Sequence, residues 1–127
     1  MEPKCIPSEG PSAVGHYSSG YVFHDLVYTG GAIPLDPDTG EVVGSTMAEQ
    51  TTAVMKNLEA TLKAAGSGLD RLLKTMVFIT DMSAFEEFNT AYAAAMGTHK
   101  PARSTVQVAG LVRGIKVEIE GIGRVTE

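Results

Sequence analysis

The sequence predicts an α+β domain in which a mixed β-sheet carries two helices on one face. Two observations give the element order ββ-α-β-α-ββ: several stretches alternate apolar and polar residues with period two, and two others, 47–65 and 84–96, repeat with helical spacing. The third is chirality. Strand–helix–strand crossovers are right-handed, so both helices fall on the same side of the sheet.

The first fifteen residues carry three Pro and two Gly around the apolar pair Cys5-Ile6, and read as an extended lead-in with at most an edge strand. Residues 21–29 are rich in β-branched and aromatic types and divide into two strands turning near His24-Asp25. Gly30 and Gly31 then allow a positive φ or a close approach to the backbone. Asp36-Pro-Asp-Thr-Gly40 is a turn between apolar Leu35 and Val42-Val43. Thr46 and Glu49 form a capping box for the first helix, whose apolar face holds Met47, Thr51, Val54, Met55, Leu58 and Leu62 before Gly66 stops it. The nearly continuous apolar run 72–80 suits a strand covered on both faces or buried in an assembly. Ser83 and Glu86 suggest a second capping box, opening a helix lined by Phe85, Phe88, Tyr92 and Met96 and ended by Gly97.

The last two strands are expected at 101–109 and 115–120. Val106 and Val108 share one face of the first, and Ile115, Val117 and Ile119 alternate with Lys116, Glu118 and Glu120 in the second. Gly110-Leu-Val-Arg-Gly114 between them reads as a turn that makes the two strands neighbours, so that Arg103 and Glu118 face a common cleft. Val77, Ile79, Val117 and Ile119 give the sheet more apolar surface than two helices cover, and a homo-oligomer is expected to bury the remainder.

Composition bounds the function. At 127 residues, with 43% hydrophobic and 20% charged content, the chain is one domain, 1–127, with a full core. A net charge of −5 and ten scattered basic residues oppose a large phosphate-binding surface, so nucleic acid is not an expected partner. No apolar run approaches membrane-spanning length, the N-terminus lacks a signal-peptide layout, and the single Cys5 fits a reducing compartment; a cytoplasmic location is expected. Cys5, His16, His24 and His99 show no metal-ligand spacing, and no metal or organic cofactor is expected.

Ala13-Val-Gly-His-Tyr17, Thr29-Gly-Gly-Ala-Ile-Pro34, Asn57, Val77-Phe-Ile-Thr-Asp81, Pro101-Ala-Arg-Ser-Thr105 and Val117-Glu-Ile-Glu120 together resemble the successive motifs of the RidA/YjgF family from about residue 8 to 125. The resemblance implies a chorismate-mutase-like fold, a homotrimeric barrel with outer helices, clefts between subunits, and hydrolysis of reactive 2-imino acids to 2-keto acids and ammonia. By the same resemblance Arg103, Glu118, Tyr17 and Gly31 are the site residues, with the backbone around Thr105 joining them.

The residue types agree with that chemistry. A guanidinium fork grips a carboxylate by two parallel hydrogen bonds, which suits Arg103 to a 2-imino acid. Glu118 is of the type that orients water and moves a proton, and the Tyr17 phenol is a donor. The alternatives are a non-catalytic binder or sensor of 2-keto acids, which the same Arg would hold, and, least favoured on charge, an endoribonuclease or translation inhibitor. The sequence departs from the family pattern at Thr105, where Cys is common, at His16 and Val112, each in place of Pro, and at Lys100, where an aromatic often precedes Pro101. A cation at Lys100 would favour a dianionic or larger acidic substrate.

Overall fold

In the computed structural model, which describes residues 2–126, strands β1 (Lys4–Ile6), β2 (Gly20–Phe23) and β3 (Leu26–Thr29) precede helix α1 (Met47–Ala64), β4 (Leu72–Ile79), helix α2 (Phe85–Met96), β5 (Ala102–Gln107) and β6 (Val117–Arg124). The strands form one six-stranded sheet ordered β1-β2-β3-β6-β4-β5. All its pairs are antiparallel except β4 with β5, which α2 joins by a crossover.

Local chemistry sets most of the boundaries. His24 takes a φ of 57° in the two-residue turn between β2 and β3. Thr46 and Glu49 make the full capping box at α1, and Gly66 turns the chain out of the helix at a φ of 83°. Asp36 Oδ1 accepts from the N–H groups of Asp38 and Thr39, closing the turn that lets Leu35 bridge Val42.

The start of α2 differs from expectation. Ser83 does not cap it; Ser83 Oγ donates to Asp81 Oδ1 at 2.7 Å, and the same carboxylate accepts from the Ser83 N–H, making a short 3-10 turn at Met82–Ala84. Asp81 caps this turn by accepting from Ser83, which draws Ser83 into the 3-10 turn, so that Ser83 is not the extended residue a capping box needs.

The sheet order brings a larger correction. β5 and β6 are not neighbours, because β4 lies between them, paired to β5 from Lys74–Ala102 to Ile79–Gln107 and to β6 from Leu72–Gly123 to Ile79–Val117. Residues between β5 and β6 are therefore no hairpin turn. Arg113 takes a φ of 55° there and donates from Nη1 to the Gly40 carbonyl. Burial explains the preference. Val117 and Ile119 have no exposed surface where β6 lies beside β4 under the two helices.

One core lies between the helices and the sheet. Val54, Met55, Leu58 and Leu62 of α1 and Phe88, Tyr92 and Met96 of α2 pack on Val27, Val77, Ile79, Val117 and Ile119. The four sheet residues from which an uncovered apolar surface is expected are thus the covered ones. The other face exposes different side chains: Tyr21, Phe23, Tyr28 and Val106 are between 37% and 46% exposed, and cross-strand register adds Ile122, Met76 and Phe78 to them. β4 is accordingly sealed on one side only, with Leu73 half exposed on its first turn of pleat.

Candidate functional site

Register decides where each candidate side chain points. Thr75 and Val77 of β4 stand opposite Arg103 and Thr105, and Val77 also stands opposite Ile119. Arg103 and Thr105 therefore lie on the helix-covered face. Glu118 stands opposite Phe78 on the uncovered face. Period two separates them. Within one chain, Arg103 and Glu118 do not share a cleft, contrary to the expectation drawn from a β5–β6 pair.

Arg103 is built into an aromatic platform. β5 is an edge strand, and its guanidinium reaches over the inner face of α2, with Cζ 5.7 Å from the centre of the Phe85 ring, 5.4 Å from Phe88 and 5.0 Å from Tyr92. Such contacts hold the cation through the ring faces and leave its N–H groups unspent. The platform is itself fixed, because the Tyr92 hydroxyl and the buried Thr75 Oγ1 are hydrogen-bonded at 2.8 Å. The one ion pair among the described residues is Lys63 with Glu59, so Arg103 makes none, although Glu86 borders the same cleft. Thr105 Oγ1, two residues on and bordering the same cleft, is buried without a hydrogen-bond partner.

Glu118 is built into a gap. After β3 the chain leaves the ladder at Gly30-Gly31 and rejoins it where Ala32 bridges Ile119, by bonds of 2.7 and 3.1 Å. Thr29 Oγ1 fills the break by accepting from the Gly121 N–H at 2.9 Å. Gly31 then lies against Glu118 so closely that a Cβ at Gly31 would overlap the carboxylate. Asn57 Nδ2 fixes the chain beyond, donating to the Ile33 and Leu35 carbonyls, both at 2.8 Å. Burial raises the Glu118 carboxyl above the usual carboxylate range, and the neighbouring charge of Glu120 adds to the rise. Tyr17 is half exposed and borders, with Gly31, a cavity of about 180 Å³ over Leu58 and Asn57.

The five predicted site residues thus form two groups: Arg103 with Thr105 in one cleft, and Gly31 against Glu118 with Tyr17 at the adjoining cavity. Sequence reading misses two contributors. Phe85, Phe88 and Tyr92 read as core, and the guanidinium above them is invisible to helical periodicity. Asn57 is part of the motif series without a role, although an amide among the apolar positions of α1 signals a buried hydrogen-bonding duty.

The family model described as Endoribonuclease L-PSP matches residues 8–125. The chain is 42% identical over 117 residues to "Putative regulator AldR" of Lactococcus lactis, covering 92% of this chain and 93% of that one. It is 38% identical over 114 residues to "Reactive Intermediate Deaminase A, chloroplastic" of Arabidopsis thaliana, covering 90% of this chain and 61% of that protein. Among solved structures, E. coli TdcF with bound serine superposes with a TM-score of 0.89 at 35% identity, covering 97% of this chain and 99% of the other.

Proposed function

This chain belongs to the endoribonuclease L-PSP family, that of RidA and YjgF, and from that premise we propose that it hydrolyses reactive 2-imino acids to 2-keto acids and ammonia. The observation that carries the reading is the Arg103 guanidinium, held over three rings with no carboxylate on it among the described residues. Arg103 anchors the substrate carboxylate by two parallel bonds, and the Thr105 hydroxyl finds its missing partner on the same ligand. Water adds to the carbon of the C=N bond while the nitrogen takes a proton. The C–N bond then breaks, ammonia leaves, and the hydroxyl proton is lost as the carbonyl forms. Glu118 orients that water and carries the proton from oxygen to nitrogen, for which a carboxyl raised above its usual range is suited. Tyr17 donates to the substrate, and Gly31, having no Cβ, lets the Glu118 carboxylate lie against its backbone.

Since the two groups lie on opposite faces of one sheet, the site is completed by a second copy of the chain. The copies assemble as a homotrimer in which the uncovered face of one chain, where Tyr21, Tyr28 and Val106 are exposed, meets the β5 edge of the next. The test is release of ammonia or 2-keto acid, above the uncatalysed background, from imines generated in situ by a pyridoxal-phosphate dehydratase. Mixing Arg103→Ala and Glu118→Gln chains under exchange conditions tests the sharing. Each hybrid cleft that takes Arg103 from one chain and Glu118 from the other is intact, about one cleft in four at equal mixing. Recovery of activity on mixing supports the shared site, and none would place both residues on one chain.

A second reading is a binder or sensor of 2-keto acids. It is favoured by the same guanidinium, which holds product as readily as substrate, and by the regulator named among the relatives. Keto-acid binding without turnover would select it.

A further inference from the structure

The chemistry above uses only one side of Arg103. On its other side the last turns of α2 and the segment 97–101 enclose a second depression of about 440 Å³. Arg103 is a wall of both this depression and the cleft that holds Thr105. Tyr92, Met96 and Pro101 give it an apolar lining, while His99, Lys100 and Arg103 supply cationic or ionisable groups. No Asp or Glu borders it, in a chain with 15 acidic residues against 10 basic ones.

The segment is anchored. Gly97 ends α2 at a φ of 70°, and His99 Nε2 meets the Leu72 carbonyl at 2.7 Å. A carbonyl only accepts, so Nε2 carries the proton of that bond. The anchor fixes the backbone of the next residue, Lys100, at the mouth of the depression, where its side chain is exposed.

Resting on the imine-hydrolase reading, we propose that this depression receives the substrate side chain and that Lys100 selects 2-imino dicarboxylic acids of four or five carbons. Arg103 takes the carboxylate next to the imine carbon. The intervening methylenes lie on the apolar lining, and the distal carboxylate meets the Lys100 ammonium. A compact ammonium on a long stem suits that second position, where the carboxylate varies in distance, better than a rigid fork would.

The experiment compares imines released in situ from aspartate, glutamate and alanine by amino-acid oxidases with catalase present. In the wild type kcat/KM is higher for the two dicarboxylic imines. Lys100→Met, which keeps the stem and removes the charge, lowers the ratio of dicarboxylic to monocarboxylic kcat/KM about two- to fivefold, and Lys100→Arg restores most of it. A ratio that Lys100→Met leaves unchanged, or a wild type that prefers the alanine imine, overturns the inference while the hydrolase reading stands. Calorimetric binding of 2-oxoglutarate against 2-oxobutanoate needs no turnover. Should no imine be hydrolysed, a Lys100-dependent preference for 2-oxoglutarate still establishes the anionic side-chain pocket, and equal binding of the two keto acids refutes it.

Discussion

Arg103 stands on an edge strand against the aromatic inner face of α2, whereas Glu118 stands on a central strand against the gap left by Gly31. The surroundings treat the two charges in opposite ways. Three rings hold the guanidinium in position and leave its N–H groups unspent, while burial and the charge of Glu120 make the Glu118 anion harder to form. A group that grips a ligand must keep its charge at every working pH and must not wander. A group that moves a proton must be able to hold one, which burial brings nearer to neutral pH. The contrast fits the proposed division, in which Arg103 binds the ligand and Glu118 moves the proton.

The strongest way to break that division is to remove the proton carrier alone. Glu118→Gln keeps the shape, and its expected cost is a fall in kcat of roughly 10²- to 10⁴-fold with keto-acid affinity nearly unchanged. In the wild type the rate rises with pH through a midpoint displaced above the usual carboxylate range, and the variant loses that arm. An equal loss of affinity would make Glu118 a binding group. Next in size is Arg103→Ala, where loss of two charge-assisted bonds should lower kcat/KM by about 10²- to 10³-fold and abolish keto-acid binding. Arg103→Lys keeps the charge without the fork and should fall between. Steady-state kinetics paired with calorimetry reads both variants.

The same contrast shows what sequence carries and what it does not. Element order, the α1 capping box, the glycine stops and the alternation in β6 are all local, and local spacing reports them faithfully. Strand order is not local. The five residues 110–114 look like a hairpin turn, yet the strand between β5 and β6 in space is 72–79, brought there by the α2 crossover. Once that pairing is wrong, the faces of Arg103 and Glu118 are read relative to the wrong neighbour. The partition of the candidate residues into two groups therefore has no signature in spacing, although the motif series that contains them does mark the family. The uncovered face was likewise expected, but from Val77, Ile79, Val117 and Ile119, which turn out to be core. Alternation reveals that a strand has two faces and does not say which one the helices take.

A smaller perturbation sharpens the Glu118 half. Gly31→Ala places a methyl group into the carboxylate, and because Ala32 is tied to Ile119 the backbone cannot withdraw freely. Overpacking of this kind costs about 1–3 kcal/mol, to be read from urea unfolding. The displaced carboxylate should lower kcat more than it raises KM. Unchanged kcat would mean that Gly31 serves backbone shape only.

The smallest expected effect is on stability against pH, and its sign is fixed by the direction of the Glu118 shift. Folding raises this carboxyl, so between its unfolded value of about 4.3 and its higher folded value the native state binds more protons than the unfolded one. The contribution is therefore fully present below the unfolded value and lost as pH climbs through the folded one. Urea midpoints measured across that range should decline more steeply for the wild type than for Glu118→Gln. Glu120→Gln should recover only a minor part of the difference, because burial is the larger cause of the shift and the neighbouring charge the smaller. Should Glu120→Gln instead remove the whole slope, the pair of charges and not the closed gap at Gly31 would govern Glu118. The contrast with the ring-held Arg103 would then rest on a neighbour two residues away on the same strand.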